Sequence, residues 1–258
     1  MYMNWETKRK LVYALGAITA VLAVSVFFLR SVIFPAPTCF DTNQNGYELG
    51  VDCGGVCSLK CREEVNPLTV VWSKAVPSGR GLYDFVGMIR NTNIDNASRE
   101  LGYTFTAYNE EGVVVSVFSG STTAPLDGMF PIITQNILLE KAPSKVALTL
   151  VDGSHYKVIE SPSAPTIRIL ERRYEAGQTP RVYTTLMNTK RLEITNLPVR
   201  IVLFDQDDNA YAVGQTIIPT LTKEGVKELI FTWNEPLLVA PTRIGVYPIF
   251  NPFEATSF

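Results

Sequence analysis

Every cysteine of this 258-residue chain lies in one short stretch, Cys39, Cys53, Cys57 and Cys61. Outside the cytoplasm thiols oxidise, and a segment this short cannot bury a hydrophobic core of its own, so two disulfides are favoured. Four cysteines allow three pairings, and the sequence does not choose among them. A four-thiolate zinc site is the alternative, but the spacing lacks the paired Cys-x-x-Cys knuckles that structural zinc sites use.

Oxygen-bearing side chains follow the first cysteine at every second position. Counting Asp41 as position 1, such side chains occupy positions 1, 3, 5 and 12, and a glycine occupies position 6. This is the ligand pattern of an EF-hand calcium loop, in which a backbone carbonyl supplies position 7. The candidate ligands of a Ca²⁺ site are therefore Asp41, Asn43, Asn45, the Tyr47 carbonyl and Asp52.

Three features depart from the EF-hand pattern. Asp52 is one methylene shorter than the glutamate expected at the last position, only two of the four side-chain ligands are acidic, and no amphipathic helices flank the loop. The alternative is that Asp, Asn and Gly cluster here because tight disulfide-bonded loops need Asx turns and positive φ angles. We therefore predict a disulfide-bonded spacer and leave bound calcium as an open alternative.

A long uncharged run precedes the cysteine segment. Lys8, Arg9 and Lys10 are followed by residues 11–29, which carry no charge. As a helix that run covers roughly 28 Å, about the hydrocarbon thickness of a bilayer. The basic cluster places the N-terminus in the cytoplasm and everything from about Pro35 onward outside the membrane. A cleaved signal peptide is the alternative, but its apolar core is shorter and no small-x-small cleavage site follows. We predict a single-pass plasma-membrane anchor.

Composition excludes several functional classes. Hydrophobic residues make up 46% and charged residues 19%, enough for a packed core, and the net charge of −2 offers no basic stripe for a nucleic acid. His155 is the one histidine. The nearby Asp152 and Ser154 lie on the same predicted turn, and adjacent loop residues rarely point at a common atom. We therefore expect no catalytic residues.

The region after the cysteines is predicted to be all-β. Short β-branched runs alternate with turn signals, and no window sustains a helical period with caps. These runs are 68–72, 85–89, 103–108, 113–118, 132–139 and 146–151.

The pattern then starts again after a Pro/Ser-rich stretch at 160–165. Asn91 and Asn188, each followed by Thr, are 97 residues apart, and Tyr108 and Phe204, each before a polar turn, are 96 apart. Nearly constant offsets predict a duplicated domain of about 95 residues. The predicted divisions are a cytoplasmic stub and anchor (1–34), a Cys-rich segment (35–65), a first β-sandwich (66–159) and a linker with a second (160–258).

The residues of both repeats resemble a known family. Segments 87–91 and 185–188 are strand ends closing in Asn, and segments 105–109 and 202–205 are aromatic strands running into a polar turn. Both sets resemble the bacterial FxLYD-type immunoglobulin-like domain. The whole chain also resembles single-pass bacterial envelope proteins that place a Cys-rich segment between an anchor and two such domains. The resemblance implies two tandem immunoglobulin-like β-sandwiches and a location, but no reaction.

These observations predict a non-enzymatic, membrane-anchored envelope protein. Its sandwiches would contact another envelope protein, and the Cys-rich segment would form a stalk. The alternatives are a ligand- or glycan-binding module, an accessory subunit of a membrane complex, and catalysis in a cleft between the domains. The aromatic tail 247–253 is a candidate contact surface, unless it closes the last strand. The oligomeric state does not follow from the sequence.

Overall fold

The computed structural model describes residues 4–33, 38–94, 96–151, 155–157, 167–189 and 193–251. Within these residues an N-terminal helix is followed by a 3₁₀ turn and thirteen strands. The predicted all-β class after an N-terminal helix is therefore confirmed. The elements are α1 (Trp5–Ile33), the turn Arg62–Glu64, β1 (Thr69–Gly79), β2 (Leu82–Asn91), β3 (Asn96–Tyr108), β4 (Val114–Ala124), β5 (Gly128–Leu138), β6 (Lys145–Val151), β7 (His155–Lys157), β8 (Ile167–Glu175), β9 (Arg181–Asn188), β10 (Ile194–Phe204), β11 (Ala210–Leu221), β12 (Val226–Thr232) and β13 (Arg243–Pro248).

Helix α1 packs against nothing else in the described chain. The stretch Trp5–Leu29 is long and apolar enough to cross a membrane, and none of it is buried. The Thr19 hydroxyl is satisfied inside the helix, where it donates to the Leu15 carbonyl at 2.8 Å. A signal sequence near the N-terminus has the same length and composition.

Strands β1 to β7 form the N-terminal sandwich. One sheet has the order β1-β2-β5, and the other has the order β4-β3-β6, with β7 pairing with the start of β3. Alternate side chains of each sheet point inward and fill the space between them. The buried core contains Phe85, Ile89, Leu101, Phe105, Ala107, Ala124, Phe130, Ile132, Val146 and Leu148.

Strands β8 to β13 form the C-terminal sandwich with the corresponding pairing order. Its sheets are β8-β9-β12 and β11-β10-β13. The predicted linker at 160–165 lies outside the described residues. The buried core contains Val182, Leu186, Ile194, Leu197, Val199, Ile201, Leu203, Ala212, Ile218, Leu221, Phe231 and Val246.

Two register shifts of the N-terminal sandwich have counterparts in the C-terminal sandwich. The β1–β2 register shifts just before Trp72, and the β8–β9 register shifts just before Glu171. The β3–β4 register shifts just before Tyr108, and the β10–β11 register shifts just before Phe204. The β3–β4 hairpin can therefore be compared with the β10–β11 hairpin, with Tyr108 aligned to Phe204.

A third buried cluster joins the two sandwiches. Residues Val199–Phe204 of β10 are buried without a break, so both faces of this strand are covered. The odd-numbered residues face the core of their own sandwich, and Val202 and Phe204 face the N-terminal sandwich. The joining cluster consists of Val76, Val86, Met88 and Ile133 from the first sandwich and Val202, Phe204, Ala210 and Val213 from the second.

Arg200 crosses the same junction as a buried cation. Its Nη1 donates to the Pro131 carbonyl at 2.5 Å and its Nη2 to Thr122 Oγ1 at 3.0 Å, while its Nε has no hydrogen-bond partner among the described residues. Burial lowers the pKa of the guanidinium to about 10. The side chain therefore ties β10 to two strands of the other sandwich, and no carboxylate of the described residues pairs with it.

The described part of the aromatic tail is structural. The Ile249 amide donates to the Pro198 carbonyl at 2.8 Å, and the Ile249 side chain packs into the core of the N-terminal sandwich. Burial raises the pKa of Tyr247, which packs against the joining cluster. The tail thus closes β13 and fastens the sandwiches together, and Phe253 lies outside the described residues.

The joining cluster predicts that a charge at Val202 destabilises the chain. Val202→Asp should cost about 3 kcal/mol or more, because it buries an unpaired carboxylate. Thr106 holds the corresponding position in the first sandwich, where the face is partly exposed. Thr106→Asp is the matched control and should cost less than about 1 kcal/mol. Urea unfolding of the full chain, followed by tryptophan fluorescence, measures both. Equal losses would contradict the role of the joining cluster.

Candidate functional site

The structure resolves the pairing of the four cysteines. Cys39 bonds to Cys57 with a Cα–Cα distance of 5.6 Å, and Cys53 bonds to Cys61 at 5.0 Å. The two bonds interlock, because the partner of each cysteine lies beyond the next cysteine in the sequence. They hold together a segment in which Phe40 and Tyr47 are more than four-fifths exposed, so covalent bonds replace the core that this segment lacks.

The first and last predicted calcium ligands lie side by side. Asp52 Oδ1 accepts a hydrogen bond from the Asp41 amide at 2.9 Å, and Asp52 Oδ2 accepts one from the Thr42 amide at 2.9 Å. Thr42 and Asp52 both have positive φ angles, 62° and 55°. The Asp52 carboxylate therefore closes the loop by binding backbone donors.

The Asp41 carboxylate also binds groups of its own loop. It accepts hydrogen bonds from Asn45 Nδ2 at 2.9 Å and from the Asn43 amide at 3.0 Å. These bonds, the one from Asn45 first, hold the pKa of Asp41 below its usual range. The Asn43 side chain turns away to donate to the Asp41 carbonyl at 2.8 Å. The arrangement is an Asx turn with an ionised carboxylate.

The loop fits a bound cation in part. The structure brings Asp41, Asn43, Asn45 and Asp52 into one hydrogen-bonded loop, while the Tyr47 carbonyl lies so close to Gly55 that a Cβ there would overlap it. Asn45 Oδ1 is a buried oxygen that finds no hydrogen-bond partner in the described part of the chain, which is the kind of atom that a cation or water satisfies. Calcium itself stays a prediction.

Glu48 is a member of this loop that the sequence reasoning missed. Glu48 Oε2 accepts from the Asn45 amide at 3.2 Å, while the Glu48 amide donates to the Asn45 carbonyl at 3.2 Å. The spacing of Asn45 and Glu48, three residues apart, is the capping-box signal that could have revealed it. Glu48 also groups with the sulfurs of Cys39 and Cys57 within 4.8 Å. Because those sulfurs are bonded to each other, they offer no thiolate ligands.

A second candidate site lies between the two sandwiches. It is a cleft of about 360 Å³ between the end of β1 and the loop that follows β12. Its walls are mainly apolar and aromatic, with a few polar groups, as in many ligand sites at domain junctions. We call it the junction cleft. Its lining residues are Lys74, Ala75, Val76, Pro77, Ser78, Gly79, Ala210, Tyr211, Trp233, Glu235, Pro236, Leu237 and Leu238.

Hydrogen bonds fix the two aromatic rings of the junction cleft. The Tyr211 hydroxyl donates to the Val239 carbonyl at 3.0 Å, and Trp233 Nε1 donates to the Val213 carbonyl at 3.1 Å. Burial raises the pKa of Tyr211 to about 12, so its hydroxyl stays protonated at neutral pH. Leu238 lies in the loop between Trp233 and Val239 and is 98% exposed. The rim of the cleft therefore presents an apolar side chain on an anchored loop.

Sequence reasoning did not find the junction cleft. Its two walls come from strands that are distant in sequence and do not pair with each other. The one local signal is the apolar run at 237–240 directly after Pro236 in a loop. His155, the one histidine, is not a lining residue of the cleft, since it starts strand β7, which pairs with β3. Asp152 and Ser154 lie outside the described residues.

Comparisons with known proteins do not assign a family. No protein-family model matches the chain, and no curated protein matches it. A red sea bream transglutaminase is 10% identical over 75% of this chain and 29% of its own, with a TM-score of 0.22. The C-terminal globular domain of an oligosaccharyltransferase from Pyrococcus abyssi is 14% identical over 68% of this chain and 40% of its own, with a TM-score of 0.24. The chain spans less than half of either protein, and likeness at this level carries no functional argument.

The class of protein follows from the chain itself. An apolar N-terminal helix leads into a disulfide-bonded segment and then into antiparallel β-sandwiches. Disulfides persist in oxidising compartments outside the cytoplasm. These features fit a membrane-anchored extracellular protein.

The disulfide pairing predicts which cysteine pairs can be removed together. The double variant Cys39→Ser/Cys57→Ser should contain no free thiol, because the bond between Cys53 and Cys61 remains. The matched variant Cys39→Ser/Cys53→Ser should contain two free thiols, because it breaks both bonds. Alkylation under non-reducing conditions and intact-mass measurement count the thiols. Two free thiols in the first variant would contradict this pairing.

Proposed function

We propose that the chain is a non-catalytic protein-interaction module of the cell envelope. In this proposal α1 is an uncleaved anchor in the plasma membrane, with its N-terminus in the cytoplasm, and the sandwiches lie outside. The basic cluster Lys8–Lys10 before the apolar helix supports this orientation. The corresponding strand order of the two sandwiches supports the proposed duplication. The FxLYD-type resemblance rests on the sequence motifs alone, and in the proposal the cysteine segment serves as the stalk.

The observation that carries the proposal is the exposed Leu238 at the rim of the junction cleft. Burying a leucine side chain is worth about 1.5–3 kcal/mol, and this one is held in water by a loop whose ends are anchored. An exposed apolar side chain next to an apolar cleft is typical of a protein-binding surface. The proposed partner is another envelope protein that covers Leu238 and places an apolar side chain in the cleft.

The polar groups of the junction cleft support binding rather than catalysis. Ser78 Oγ is buried and has no hydrogen-bond partner among the described residues, which favours a binding role over activation by a base. Tyr211 remains protonated and holds a backbone carbonyl. A nucleophile needs a base within hydrogen-bonding reach, and the described lining residues do not supply that pair.

Photo-crosslinking tests the proposed contact. A photoreactive residue at Leu238, in the full chain in its native membrane, should give one discrete crosslinked protein. Ile217, 60% exposed on β11 and outside the cleft, is the matched control position and should give none. Trp233→Ala should reduce the Leu238 product about tenfold, because it removes the wall of the cleft. Equal products from both positions would contradict the proposal.

A ligand- or glycan-binding module is the second candidate. The fixed rings of Trp233 and Tyr211 favour it, because flat apolar ligands stack on such rings. An accessory subunit of a membrane complex is a special case of the protein-binding proposal. The crosslinking experiment separates the candidates, because a glycan or small ligand yields no crosslinked protein at Leu238.

We also propose that the Cys-rich loop binds Ca²⁺ through Asp41, Asn43, Asn45, the Tyr47 carbonyl and Asp52. The support is the buried, unpaired Asn45 Oδ1 next to two ionisable carboxylates. Both carboxylates accept backbone hydrogen bonds in the described structure, so binding would require them to exchange donors for the cation. Loops of this kind outside cells bind Ca²⁺ at about 10⁻⁴–10⁻³ M.

Calorimetric titration of the oxidised full chain tests calcium binding. Ca²⁺ should release or absorb heat with the natural chain, and Asp41→Ala should abolish the signal. Asp205→Ala is the matched control, because Asp205 also accepts backbone amides, from Asp207 at 2.9 Å and Asn209 at 2.8 Å, in a hairpin far from the cysteines. No heat up to about 10 mM Ca²⁺ would sink the idea and leave the loop as a disulfide spacer.

A further inference from the structure

Strand β4 is an open sheet edge with apolar side chains. It pairs with β3 on one side, and no described strand pairs with its other side. Val114, Val115, Val117 and Phe118 are exposed by 49%, 46%, 58% and 42%. An open edge presents a row of unpaired backbone N–H and C=O groups to any strand that approaches. Val117 adds an apolar side chain beside that row.

The composition of β4 sets it apart from the other edge strands. The paths of the four sheets end in eight strands, and β7 forms a further short edge beside β3. Proteins protect such edges with charged residues or proline. Among the described edges, β4 alone contains neither. The protecting residues of the others include Lys74 and Pro77 in β1, Pro131 in β5, Lys145 in β6, Arg168 and Glu171 in β8, Pro219 in β11, Lys227 and Glu228 in β12, and Arg243 in β13.

One side-chain face of the corresponding strand of the other sandwich is covered by protein. Val117 pairs with Thr106, and Val213 of β11 pairs with Val202, so Val117 and Val213 hold corresponding positions. Val213 is only 2% exposed, because it belongs to the cluster that joins the sandwiches. The side-chain face at this position is therefore buried in one sandwich and exposed in the other, and the free edge of β11 carries Pro219.

We propose that β4 pairs with β4 of a second copy of this chain. The strands run antiparallel about a two-fold axis at Val117, and the two β4-β3-β6 sheets become one continuous sheet. Such an interface is isologous, so each β4 residue faces a β4 residue of the second copy. A strand without charges meets no like-charge repulsion when it pairs with itself.

The predicted register follows from the alternation of the strand. Val117 lies opposite its own copy, and Val115 lies opposite Ser119, because residues of the same parity share a sheet face. By contrast, β8 is a charged edge strand. If it paired with itself about Arg172, the two copies of Arg172 would face each other, with Arg173 opposite Glu171. Anchoring of both copies in one membrane also raises their effective concentration. A second copy is therefore the occupant that the chain itself best fits.

Mass measurement of the full chain in detergent micelles tests the pairing. The natural chain should be dimeric, and Val117→Lys should weaken the dimer at least about tenfold, because two ammonium groups would face each other. Ile230→Lys is the matched control, since Ile230 is 54% exposed on the edge strand β12. That variant should remain as dimeric as the natural chain. A natural chain that stays monomeric up to about 100 µM overturns the proposal.

A cysteine variant tests the register even where lysine disturbs folding. Val117→Cys should form a disulfide between two copies under mild oxidation, because the two side chains face each other across the axis. Val226→Cys, 57% exposed on β12, should not. Equal crosslinking of both variants overturns the proposal. A bond from position 117 to a different protein overturns the second copy as the occupant.

Discussion

The strand β10 can be stable only if both of its faces are covered, and the rest of the ectodomain depends on this constraint. From Val199 to Phe204 the strand is buried on both sides. One face fills the core of the C-terminal sandwich, and the other needs the N-terminal sandwich against it. Two β-sandwiches that could have been independent are therefore packed together, and a buried Arg200 and the Ile249 side chain strengthen the same junction.

This packing creates both the junction cleft and the exposed β4 edge. Because β1 is held near β11, the junction cleft forms between them, with Trp233 and Tyr211 fixed in its wall. Because the cluster uses the β11 side of one sandwich, the β4 side of the other remains open. Both the proposed partner site and the proposed self-pairing edge are thus consequences of one interface. The two surfaces involve different residues, so they can operate together.

The Cys-rich segment is organised by different physics. It buries little apolar surface, and Leu49, Val51 and Val56 remain exposed. Two interlocked disulfides limit its unfolded states, while the carboxylates of Asp41 and Asp52 satisfy backbone amides in tight turns. The same carboxylates are the predicted calcium ligands. Local geometry therefore explains the oxygen-rich sequence without a metal, except for the unpaired oxygen of Asn45.

Much of the architecture could be predicted from local patterns in the sequence. The uncharged run predicted helix α1, alternating β-branched runs predicted the all-β class, and the Asn and Asp residues near Asp41 predicted tight turns. Each of these signals lies within a short window, where backbone preference and hydrophobic period act. The run at 199–204, with Arg200 and Val202 where the other sandwich has Thr104 and Thr106, was a further signal that the sequence reasoning did not use.

The sequence by itself determined the elements, the compartment class and the local turns of this protein. It left open which cysteines pair, where a cleft forms and which sheet edge stays uncovered. Only the tertiary structure decided these, because each depends on contacts between segments far apart in the chain, such as β1 with β11 and Cys39 with Cys57. The type of a residue and its near neighbours in the sequence do not specify which distant segment will pack over it. Its burial is set by those distant contacts.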